Sequence, residues 1–171
     1  MSNKNFVRTC GVFLALVLGA QASAADADIL RQANDRAEIE ALMWRYVRAL
    51  DTYDVEAYAN VFTEDGRFGT GANATVGRAA LRQMVDGLKR SSQERQAAGE
   101  PRGPMHHVIT NAHIEFVGAD EAKYHSYWMT VFGPQGQGGQ PQVAAVGRGV
   151  DVLVRVDGQW LIKSRDVAPQ D

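Results

Sequence analysis

Residues 105–132 read MHHVITNAHIEFVGADEAKYHSYWMTVF. Two runs rich in β-branched and aromatic residues, 105–117 and 122–132, flank Gly118-Ala119-Asp120, the pattern of a β-hairpin. Downstream, Val143 to Val156 and Gln159 to Val167 repeat it around Asp157-Gly158. The C-terminal half therefore predicts a four-strand meander, interrupted by the Gly/Gln/Pro loop Pro134 to Pro141.

Upstream the periodicity changes. Ile39, Leu42, Met43, Tyr46, Val47 and Leu50 recur at three- and four-residue spacings, so Asp28 to Leu50 predicts an amphipathic helix. Asp54 to Phe62 predicts a short second helix, with Asp54 as its N-cap. Glu64-Asp65-Gly66 has turn composition, and Arg67 to Thr70 predicts a short strand. A third helix is expected from Arg78 to Lys89, with Ala80, Leu81, Met84, Val85 and Leu88 inward. Ser91 to Pro104 is polar, carries Gly99, Pro101, Gly103 and Pro104, and predicts a mobile loop. Helices first and an antiparallel meander after them indicate an α+β domain, whose sheet can curl around a helix and leave a pocket.

The N-terminus has the features of an export leader. Lys4 and Arg8 supply positive charge, Val12 to Ala20 is apolar, and Ala22-Ser23-Ala24 is a small-x-small cleavage site. The apolar run is shorter than the roughly 20 residues a membrane span needs. The expectation is a signal peptide over residues 1–24, cut after Ala24, and a domain over residues 25–171 in the periplasm or outside the cell, with no membrane association after cleavage. Cleavage leaves 147 residues with a net charge of −4 and no cysteine, because Cys10 is lost. The whole chain has 18 Lys and Arg against 20 Asp and Glu, so it lacks the basic excess of a dedicated nucleic-acid binder. A cysteine-free domain has no thiol chemistry and no multi-Cys zinc site.

Asp51 continues the apolar face of Met43 and Val47, which makes it either a partly buried carboxylate or a helix-end residue. On an extended strand His107, Ile109, Asn111 and His113 share a face, and His125 lies opposite His113 across the hairpin. A metal site is disfavoured, since no HxH or HExxH pattern occurs and His107 and His113 stand about 20 Å apart on an extended strand. No G-x-S-x-G is present, and Gly147-Arg148-Gly149 lacks the spacing of a dinucleotide loop. Aromatic residues are core by default, and a subset can line an apolar pocket.

The stretch Arg45-Tyr46-Val47-Arg48-Ala49-Leu50-Asp51, then Asp54 and Val61-Phe62-Thr63-Glu64-Asp65-Gly66, resembles the opening of SnoaL-like proteins of the nuclear transport factor 2-like superfamily. Gly77-Arg78-Ala79-Ala80-Leu81, Met105 to Asn111 with Ile114 to Val117, Ser126-Tyr127-Trp128 and Leu153 to Trp160 resemble its later segments in order. The likeness covers nearly all of the mature chain. It implies a cone: a curved antiparallel sheet packed around a long N-terminal helix, with two shorter helices and a deep pocket. Within the superfamily the chain resembles the branch of scytalone dehydratase, bile-acid 7α-dehydratase and γ-hexachlorocyclohexane dehydrochlorinase. That resemblance implies a catalytic Asp–His dyad at Asp51 and His107, with Tyr46 as the matching tyrosine. Leu50 stands where scytalone dehydratase has a tyrosine, and the later pocket region offers Phe68, so the two-tyrosine water arrangement is not reproduced.

The resulting expectation is a cofactor-independent lyase. A neutral imidazole takes a proton while a hydroxide, halide or aldehyde fragment leaves a small hydrophobic cyclic or aromatic substrate. Tyr46 is the first candidate for the proton donor, followed by Asn111, His125 and Trp128; Phe68, Tyr53 and Phe62 complete the expected pocket. No metal or organic cofactor is expected, and the resemblance implies a homo-oligomer, dimer or trimer. The alternatives are a proton-shuttling isomerase of the ketosteroid-isomerase type and a non-catalytic ligand-binding or assembly module.

Overall fold

The computed structural model describes the backbone of residues 6–136 and 138–169, with side chains from residue 24 onward in those ranges. In chain order the elements are α1 (Phe6–Asp51), α2 (Val55–Asn60), β1 (Phe62–Phe68), β2 (Thr75–Val76), α3 (Arg78–Ala97), β3 (Met105–Phe116), β4 (Glu121–Phe132), β5 (Gln142–Val156) and β6 (Gln159–Asp166). They form two compact units that divide between Glu38 and Ile39. Up to Glu38 the described chain is the first part of α1. The last turns of α1 and all later elements make up the second unit, an α+β fold on a curved, unclosed sheet.

The strands lie in the order β2-β1-β6-β5-β4-β3, with every neighbouring pair antiparallel except β1 and β6. The tight connections arise where the composition places them: Asp157 and Gly158 both take positive φ, which a two-residue hairpin turn requires. The core joins Ile39, Leu42, Met43, Tyr46, Val47 and Leu50 of α1 with Tyr58, Leu81 and Val85 of the other helices and Ala122, Leu153, Trp160 and Ile162 of the sheet. The apolar stripe of α1 is thus the surface on which this unit is built.

Three local expectations are corrected. Glu64-Asp65-Gly66 lies inside β1, where pairing with β6 jumps from Phe62↔Ile162 to Arg67↔Ser164. Its turn chemistry appears as an irregularity within a strand: a Cβ on Gly66 would come 2.8 Å from the Cβ of Phe62. The segment Ser91 to Ala97, expected as loop, continues α3. Its Ser, Gln, Glu, Arg and Ala residues tolerate helix without an apolar face, and the helix stops only before Gly99, which has φ 77. The third correction concerns β3. Register with β4 shifts between Thr110 and His113, and Asn111 takes φ 50. This bulge reverses the alternation, so His107 and Ile109 face one way before it and His113 turns outward after it.

Candidate active site

The end of α1 positions the first functional group. The N–H of Asp54 donates to the Ala49 carbonyl at 2.8 Å and that of Tyr53 to Leu50 at 3.2 Å, while Tyr53 takes φ 53. This is a Schellman-type terminus with Tyr53 as its left-handed residue. The Asp54 side chain then accepts from Ala57 N–H at 3.0 Å and caps α2. Asp51 is consequently the last helical residue.

β3 is an edge strand, and its exposed side at His107 meets that carboxylate. Asp51 Oδ1 accepts from the His107 backbone N–H at 2.9 Å and lies 2.7 Å from His107 Nδ1. A carboxylate only accepts, so in a neutral imidazole this contact places the proton on Nδ1, facing Asp51, and leaves the lone pair on Nε2. The two side chains are mostly buried, at 16% exposure for His107 and 8% for Asp51.

His107 lines a cavity of about 180 Å³ together with Tyr46, Leu50, Phe68, Ile109, Trp128, Thr130, Ala145, Arg165 and Val167. The wall is apolar apart from His107, Tyr46, Thr130 and Arg165. The volume somewhat exceeds the roughly 150 Å³ of an apolar protein cavity that takes up benzene, so it suits a single-ring compound. Burial raises the Tyr46 phenol above its ordinary range, with Arg165 working in the opposite direction. Tyr46 is therefore a protonated donor at neutral pH.

Behind Tyr46 lies a second charged pair. Arg165 Nη1 donates to Asp151 Oδ2, both residues are almost fully buried, and the guanidinium sits 4.3 Å from the centre of the Tyr46 ring. Burial works against the Arg165 charge, but Tyr46 and Asp151 hold its pKa above the usual value. Burial pushes the Asp151 carboxyl up to about 7; Arg165 pulls it down and Asp166 adds a smaller push. The cavity thus has an imidazole with a free lone pair, a neutral phenol and a cation in its wall.

Of the residues expected from sequence, Asp51 and His107 meet, and Tyr46, Phe68 and Trp128 line the same cavity as His107. Trp128 lends only its ring, because its indole N–H donates to the carbonyls of Arg148 at 2.9 Å and Val167 at 3.1 Å. Gly147 makes room for that ring: a Cβ there would lie 2.7 Å from Trp128 Cζ2.

Four expected pocket residues do not line this cavity. Phe62 is fully buried in the core, edge-on to Tyr46 with ring centres 6.2 Å apart. Tyr53 is consumed by the helix terminus, and Asn111 by the bulge. His125 is indeed the register partner of His113, but it faces outward, 3.3 Å from Glu115. Arg165 and Asp151 were missed. Their signal was present: Asp151 interrupts Val150-Asp151-Val152-Leu153 at an inward position two residues before Leu153.

No curated protein matches the chain in sequence. Among solved structures, a protein of unknown function from Mycobacterium tuberculosis is 28% identical, with 83% of this chain and 75% of that chain covered at a TM-score of 0.68. A provisionally named scytalone dehydratase from Novosphingobium aromaticivorans is 26% identical over 80% of this chain and 84% of that one, with a TM-score of 0.62. A Catenulispora acidiphila protein in complex with S-DNPA is 27% identical over 78% and 91%, also at 0.62. A SnoaL-like domain model matches residues 31–166, and the chain belongs to the SnoaL-like family.

Proposed function

We propose that this protein is a cofactor-independent lyase acting on a small hydrophobic ring compound. The observation that carries this reading is the 2.7 Å approach of His107 Nδ1 to the Asp51 carboxylate, with the same imidazole in the wall of an apolar cavity. His107 Nε2 removes a proton from a substrate carbon, and Asp51 fixes the tautomer and stabilises the imidazolium that forms. The electrons of the broken C–H bond form the new double bond as the bond to the leaving group breaks. Tyr46 gives its proton to a departing hydroxide, and Arg165 stabilises the phenolate left behind. Water, hydrogen halide and aldehyde elimination all begin from such a base. The likeness to a provisionally named scytalone dehydratase favours loss of water.

The leader pattern of residues 1–24 supports export of the domain to the periplasm or beyond, with cleavage after Ala24. Family resemblance supports a homo-oligomer.

Incubation with a panel of hydroxylated and halogenated single-ring compounds, read by mass spectrometry, tests the assignment. Loss of water, hydrogen halide or a small aldehyde is expected, and His107→Ala abolishes it while the circular dichroism spectrum stays native. A product of unchanged mass with a moved double bond reassigns the site to an isomerase. Full turnover by His107→Ala sinks the dyad.

A further inference from the structure

Among the described residues, four buried polar side-chain atoms have no hydrogen-bond partner within the protein: Tyr58 Oη, Ser126 Oγ, Asp151 Oδ1 and Arg165 Nε. All four residues are more than nine-tenths buried. The sheet brings three of them together. Ser126 on β4 pairs with Gly149 on β5, and Asp151, two residues further along the same face of β5, pairs with Arg165 on β6. Tyr58 approaches from α2: its ring centre lies 5.4 Å from that of Tyr46, over which the Arg165 guanidinium sits at 4.3 Å. Its hydroxyl comes close to that of Tyr46 without a well-formed hydrogen bond.

The donor set selects a ligand. Arg165 Nε–H only donates, Asp151 Oδ1 accepts or donates according to its proton, and the two hydroxyls do both. An anion would face the Asp151 carboxyl and a cation would face the Arg165 guanidinium, so neither fits. A small neutral oxygen that donates and accepts at once satisfies the cluster in either protonation state of Asp151. Gly149 leaves space for it: a Cβ at that position would stand 3.4 Å from Ser126 Oγ.

We propose that Ser126, Asp151, Arg165 and Tyr58 form an internal binding site for ordered water behind the wall of the cavity. The water completes the hydrogen bonding of the Asp151–Arg165 pair, whose guanidinium borders both the water and Tyr46. The site belongs to the free protein and does not rest on the lyase reading, so a failed substrate panel leaves it standing.

Two measurements test it. Crystals of the full chain, grown without alcohols or polyols and diffracting well enough to place water, are expected to show a water within hydrogen-bond distance of at least two of the four atoms. Ser126→Ala then removes a partner from that water and lowers Tm by about 2–4 °C. In a dry cluster the same change deletes an unpaired buried hydroxyl and raises Tm. A dry cluster in the crystal, or a Tm that stays or rises in Ser126→Ala, overturns the proposal.

Discussion

Two acidic side chains of this protein each hold a basic partner on another element, and they do so in opposite ways. Asp51 sits at a helix end and satisfies one oxygen twice over, with the backbone N–H and the imidazole of a single residue. Asp151 lies in the middle of a strand, fully buried, with one oxygen on Arg165 and the other unpartnered by the protein. The first pair holds an imidazole with a free lone pair in a cavity wall, an arrangement suited to moving protons. The second sets a permanent cation behind a phenol, an arrangement suited to stabilising charge. The difference teaches that burial alone does not single out the pair proposed to react: the more buried pair is the one sealed in the core.

The sharpest break of this comparison is Arg165→Met. It takes away the partner of the Asp151 carboxyl, which then keeps its proton at pH 7, so the loss expected in urea unfolding is that of a buried hydrogen bond, about 1–3 kcal/mol. A loss below about 1 kcal/mol would show that the Asp151–Arg165 pair is not a rigid element of the core. Asp51→Asn should divide the effects differently. Turnover of a substrate found in the panel falls by about two to four orders of magnitude, while stability drops only by about 1–2 kcal/mol. Equal damage to fold and turnover would erase the distinction between the two pairs.

The pH dependence sharpens it further. The folded protein retains the Asp151 proton up to about pH 7, whereas the unfolded chain releases it near the ordinary value of 3.8. Between those values the native state binds more protons, so this group makes stability fall as pH rises from about 4 to 7 and adds no slope above. Unfolding free energies of the wild type and Asp151→Asn, measured across that range, should differ by a term that varies with pH in this direction. A constant difference would place the Asp151 pKa at its ordinary value. The smallest effect expected is that of Asp54→Ala, which removes the α2 N-cap at the corner after Asp51 and costs about 1 kcal/mol. Turnover should change little, because the Schellman-type bonds that end α1 are formed by the backbone.

Much of the architecture was readable from side-chain period and turn composition. The meander, the stripe of α1 and the Asp54 cap all depend on neighbours within about four residues, and such features survive in a linear reading. The extra turns of α3 were hidden because an exposed helix needs no apolar stripe. The bulge at Asn111 was hidden because one inserted residue leaves composition untouched yet reverses every side chain beyond it. That reversal is why His107 lines the cavity and His113 faces outward.

The amino-acid sequence by itself determined the α+β class, the approximate order of elements and, through family resemblance, attention to Asp51, His107 and Tyr46. Only the tertiary structure decided that Asp51 meets His107, that Trp128 spends its N–H on the backbone, and that Arg165 and Asp151 stand behind Tyr46. The reason is one of range. Period and capping are set within a turn or two of chain, whereas these contacts join residues on different elements, 14 positions apart for Asp151 and Arg165 and 56 for Asp51 and His107. Their pairing depends on register across β4, β5 and β6, which no local pattern specifies.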